Sequence, residues 1–298
     1  MRFDLATYRR HSAKLVTDDL DLASFESRPL DADALRCLRY MHDVESHTIC
    51  YLRDLLVTRA HRDPEVTTFL TLWSYEELWH GEAIAAVLAA HGEAAGPTRV
   101  AATRRSLPRR DALRPVASQL ASAASSHVTA VHMAWGAVNE WTTQAGYARL
   151  AARAGHPVLT ELLRRVMRQE GRHVDFYASQ ANERLADSRA ARRLARFTLR
   201  RLWAPVGSGV MPAAEVAFVS RYLVAGPEGA AVAARVDRRI DRLPGLVGLD
   251  LLTSAVASHA GHGPDDGRPR GAGAPVATAA SVDAALSASP RAARPSAA

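Results

Sequence analysis

Lysine is almost missing from this chain. Lys14 is the only one, and arginine supplies the rest of the 38 basic side chains. Cysteine is nearly as scarce, with Cys37 and Cys50 alone. Their spacing fits no metal motif, and as small buried thiols in a reducing compartment they need no further role. Aromatic residues make up only 6%. No apolar run approaches the ~18 residues of a membrane span. The opening Met1-Arg2-Phe3-Asp4 carries no apolar leader, so a cytoplasmic protein is expected. Helix-turn-helix, zinc-finger and RNA-binding signatures are also absent. Nucleic acid is therefore set aside as a partner, despite a net charge of +7 and a pI of about 10.0. A basic surface of this kind attracts an acidic partner.

Alanine, leucine and arginine are abundant, a mix that favours helix over sheet. The 298 residues suffice for one large all-α domain with a sizeable core. After a short helix near 5–16, Asp31 is a fitting N-cap for a long helix to about residue 60. Its apolar stripe is Leu35, Leu38, Met41, Ile49, Leu52 and Leu56. A second helix is expected over 64–91, stopped by Gly92. Residues 92–111 read as a long Gly/Pro/Arg-rich crossover, followed by helices over 113–154 and 157–185. Two to four shorter helices fill 187–258, packed outside a core bundle of about 31–186. From 259 to 298 the composition turns to Gly, Pro, Ala, Ser and Arg, and a disordered tail is expected.

Glu77-Leu78-Trp79-His80 and Glu170-Gly171-Arg172-His173 are two copies of Glu-x-x-His on expected helices. Each follows another inward-facing glutamate: Glu45 lies 32 positions before Glu77, and Glu140 lies 30 before Glu170. Residues i and i+3 share a helix face. Four helices with this pattern aim four carboxylates and two imidazoles at one point, the ligand set of a di-iron or di-manganese bundle. Buried carboxylates are costly without compensation, and two divalent ions would balance four of them. Oxygen-rich ligation with one imidazole per metal suits Fe2+, with Mn as the other candidate. Glu45 is preferred to Asp43 because it falls on the apolar stripe between Met41 and Ile49. His42, His47, His127 and His132 are left out as ordinary helical histidines.

At these residues the chain resembles the soluble acyl-carrier-protein desaturases of the ferritin-like superfamily. Glu76-Glu77-Leu78-Trp79-His80-Gly81 is similar to that family's Glu-Glu-x-x-His-Gly, and Glu170-Gly171-Arg172-His173 to its Glu-x-Arg-His. Glu140-Trp141-Thr142-Thr143 and Tyr147-Ala148-Arg149-Leu150-Ala151 resemble its third metal helix. The resemblance spans about residues 35–185. It implies a ferritin-like four-helix bundle and proton delivery to bound oxygen by Thr143. It departs at Gln169, where the family usually has an acid in the network around a metal histidine.

The expected function is O2-dependent desaturation of an acyl chain. An acidic acyl carrier protein would present the chain, a ferredoxin-like donor would supply electrons, and a homodimer is admitted. An apolar channel past Met133, Gly136 or Tyr147 would seat the chain. The alternatives are N-oxygenation or hydroxylation of a small molecule, and iron storage or detoxification without catalysis. A radical-generating subunit is disfavoured, because Ile84 stands where that chemistry wants a tyrosine.

Overall fold

A computed structural model describes residues 2–224 and 226–260. It is all-helical: among the described residues the only β pairing is an isolated bridge between Ser208 and Met211. The segment expected to form a disordered tail lies outside the described residues, apart from the last two positions of the final helix. No helix among the described residues is long and apolar enough to cross a membrane.

The chain opens with α1 (Leu5–His11) and α2 (Ser24–Ser27), then α3 (Ala32–Glu45) and α4 (Thr48–Leu56). Asp31 caps α3 through Oδ1, which accepts from the Ala34 amide at 2.7 Å. The single helix expected over 31–60 is thus broken at Ser46-His47. The break changes the phase of α4 relative to α3, so Ile49 and Leu56, assigned to the buried stripe, are exposed. Helix α5 (Pro64–Ala90) is capped by Asp63, starts on proline and ends before Gly92, whose φ of 70° lies in the left-handed region. The expected crossover contains its own helix, α6 (Gly96–Ser106). The helix expected over 113–154 is split at Ser125–His127 into α7 (Arg114–Ala124) and α8 (Val128–Ala154). Gly155, with φ of 59°, turns the chain into α9 (Pro157–Ala186). Four further helices complete the described chain: α10 (Arg189–Leu202), α11 (Ala213–Val224), α12 (Gly226–Ile240) and α13 (Leu251–Ala260).

Helix α3 packs on α5, α5 on α9, α9 on α8, and α8 on α3. The buried apolar residues fall into two clusters. One holds Phe69, Trp73, Met133, Ala137, Phe176 and Tyr177; the other holds Leu38, Ile84, Leu88, Leu150, Leu163 and Val166. Helices α5 and α8 run from the first cluster to the second, and α9 runs back. Between the clusters each helix crosses a layer of buried polar side chains: Glu77 and His80 on α5, Glu140 on α8, Glu170 and His173 on α9. Glu45 enters that layer from the last position of α3.

Gly136 permits the closest approach of α8 and α9. A Cβ there would stand 2.4 Å from two ring carbons of Tyr177. Gly136→Ala must push the ring aside in a packed core. It is expected to cost about 1–3 kcal/mol, read as a lowered urea midpoint at unchanged slope.

Candidate metal centre

Six side chains converge in the polar layer. Glu45, Glu77, His80 and Glu170 form one group, and Glu77, Glu140, Glu170 and His173 form a second. Within each group one ligand atom per residue lies within 4.8 Å of all the others. Glu77 and Glu170 belong to both groups. All six residues are buried. Asp43, the weaker candidate beside Glu45, is engaged elsewhere: it pairs bidentately with Arg99 and meets His42.

Four of the six are held from outside the layer. His80 Nε2 donates to Gln169 Oε1 at 2.9 Å, and Gln169 in turn donates its amide to the Ala13 carbonyl. An amide oxygen can only accept, so Nε2 is the donor to Gln169 and Nδ1 is the nitrogen that faces the layer. There it lies 3.3 Å from Glu170 Oε1 without hydrogen-bond geometry. His173 Nε2 donates to Glu76 Oε2 at 2.7 Å, and its Nδ1 lies 3.1 Å from both Glu77 and Glu170. Trp73 donates to Glu140 Oε1 at 3.1 Å, and the Tyr147 hydroxyl donates to Glu45. Burial and the adjacent Glu45 push the Tyr147 phenol well up, so it remains a donor.

The layer demands positive charge. Glu77 Oε1, His80 Nδ1 and Glu170 Oε1 are buried without a hydrogen-bond partner. Buried polar atoms left unpaired are expensive. Without metal, protons take up the charge. Burial, then Glu45 and Glu170, pushes the Glu77 carboxyl well up. Burial and Glu170 do the same to Glu140. Burial disfavours the His173 cation, yet its bonds to Glu170, Glu76 and Glu77 outweigh that and hold its pKa well above the usual value. Burial likewise opposes the charged form of Glu170, but the two histidines draw its pKa far down. A buried donor set of four carboxylates and two imidazoles whose Nδ1 atoms face inward could hold metal.

Thr143 makes no hydrogen bond with the ligands; it lines a cavity of about 100 Å³ together with Glu45 and Tyr147. That cavity is walled by aliphatic residues of α11 and α13, including Leu223, Leu252 and Val256. Of the channel residues expected from sequence, only Tyr147 lines it. Met133 is packed core, and Gly136 is filled by the Tyr177 ring. Sequence reasoning assigns no role to Glu76, Trp73 or Tyr147 in holding the ligands, yet all three do so. Glu76 and Tyr147 stand inside the motifs quoted above, whereas Trp73, about one turn before Glu77, passes for plain core.

No family model, no curated protein and no solved structure matches the chain. What the centre does must be derived from its own chemistry.

Metal uptake must displace the protons on Glu77, Glu140 and His173. Proton release on loading, and affinity that rises with pH, are expected from calorimetry in buffers of different ionisation enthalpy. The same raised values make metal-free stability complete below the ordinary carboxylate range of Glu77 and Glu140, then lost as pH rises through their folded values; His173 adds a loss above its own. Glu170 acts oppositely, its contribution fading on acidification. The melting temperature of the metal-free protein should therefore fall as pH is raised above the ordinary carboxylate range, and loading should remove that dependence.

Proposed function

We propose that this chain is an O2-dependent di-iron oxidoreductase on a ferritin-like four-helix core formed by α3, α5, α8 and α9, with acyl-chain desaturation as its reaction. The observation that carries this reading is the pair of inward Nδ1 atoms set against four carboxylates in a dry layer. Glu45, Glu77, His80 and Glu170 would hold one ion, and Glu77, Glu140, Glu170 and His173 a second. Bound iron supplies dioxygen activation and the oxidising power to take hydrogen from an unactivated C–H bond. Removal of two hydrogens from the substrate, with two electrons and two protons from outside, reduces one O2 to two waters and leaves a double bond.

The surrounding residues suit that task. The apolar cavity reaches Glu45 and would seat an aliphatic chain beside the centre. The Thr143 hydroxyl borders the same cavity, where it can hold and pass a proton. A groove lined by Lys14, Arg164, Arg165, Arg168 and Arg172, whose cations outnumber the two carboxylates Asp19 and Glu161 that pair with Arg164 and Arg165, includes Gln169, the residue bonded to His80. Such a groove fits an acidic electron donor of the ferredoxin kind, and an acidic carrier protein would be drawn to the same net charge. The small cavity favours a second reading, hydroxylation or N-oxygenation of a small molecule, since pockets for larger ligands usually run to ~300–1,000 Å³.

Anaerobic loading with Fe2+ followed by oxygen is the decisive experiment. Two equivalents of iron and substrate-dependent O2 uptake are expected, with acyl carrier and free amine substrates tried side by side. Iron well below two equivalents would reject the metal reading, and turnover of the amine alone would reject desaturation. Arg168→Glu, at the exposed rim of the groove, should slow reduction by an acidic donor about tenfold or more at low ionic strength. Reduction by dithionite should be unchanged.

A further inference from the structure

We propose that the two metal positions are unequal and fill in order, the His173 position first, because the residues backing the two histidines differ in charge. This rests on the two-metal reading above. The backing is reciprocal between the motifs. Glu76, immediately before Glu77, accepts from His173 Nε2 at 2.7 Å; Gln169, immediately before Glu170, accepts from His80 Nε2 at 2.9 Å. Each motif therefore positions the histidine of the other, and both rings present Nδ1 to the layer.

What differs is the acceptor. A carboxylate behind an imidazole N–H draws on its proton and makes the opposite nitrogen a stronger donor to metal; a neutral amide oxygen does so far less. Neither partner can exchange roles. Glu76 is fully buried and also accepts from Arg172 at 2.8 Å and Tyr8 at 3.0 Å. Gln169 is pinned by its bond to the Ala13 carbonyl at 2.9 Å. Arg172 offsets part of the Glu76 charge through its direct contact with Oε1, but the other oxygen, Oε2, still meets His173 at 2.7 Å. The other ligands are balanced between the positions: Glu77 and Glu170 are shared, while Glu45 and Glu140 each accept one neutral donor, from Tyr147 and Trp73. Glu76 and Gln169 are thus positioning residues that set the relative strength of two otherwise similar sites.

Anaerobic titration of the metal-free protein with Co2+, followed by ligand-field absorption and heat, tests this. At a pH high enough that the proton on His173 no longer competes, two equivalents should bind in two steps, the first tighter by about 10- to 100-fold, the range that outer hydrogen-bond partners command. His173→Ala should abolish the tight step and His80→Ala only the weak one. Gln169→Glu should bring the steps together by strengthening the second, and Glu76→Gln should bring them together by weakening the first. Circular dichroism establishes that each variant is folded; should an alanine variant fail to fold, the two isosteric exchanges carry the test. Equal steps in the native chain, or loss of the tight step in His80→Ala, would overturn the order while leaving the two-metal reading intact. No cobalt uptake at all would remove both.

Discussion

Four carboxylates share a dry layer between two apolar clusters, and that concentration of like charge governs the rest of the molecule. It could not persist in a packed interior unless something positive stood among the oxygens. Every neighbouring feature answers it. Trp73 and Tyr147 donate to the terminal carboxylates, and two imidazoles intrude between the others. Stability and any affinity for metal are consequently one electrostatic problem with different occupants. Protons answer it in the metal-free chain, and cations would answer it in a loaded one.

The helical class and the convergence of the six ligands were legible because helical periodicity is local. Two Glu-x-x-His motifs project from one face each whatever surrounds them. Glu45 was separable from Asp43 by standing one turn after Met41 on α3, although Ile49, the next member of the expected stripe, is exposed; the structure gives Asp43 to Arg99. Helix continuity was less legible. Neither Ser46-His47 nor Ser125–His127 contains a proline or glycine, so no breaker residue marks either interruption. Least legible were the cross-helix bonds. That Gln169 serves His80 and Glu76 serves His173 depends on how α5 and α9 face each other, which no spacing within a single helix encodes.

The centre is approached through different elements for different purposes. The aliphatic cavity reaches it from α11 and α13 and meets it at Glu45. The cationic groove reaches it across the outer surface of α9 and meets it at Gln169, behind His80. Organic substrate and reducing equivalents would therefore not compete for one entrance. The helices after α9, which carried no motif in the sequence, acquire a role as the wall of the cavity.

Five of the six ligands are embedded in the middle of long helices, where a displacement would have to move a whole rod. Glu45 alone closes its helix, with the chain bending at Ser46-His47 before α4 begins. Glu45 and Val44 also wall the cavity, so the helix end that brings this carboxylate to the layer shapes the room offered to a guest as well. The discontinuity between α3 and α4 thus makes one short stretch of backbone common to the centre and its pocket.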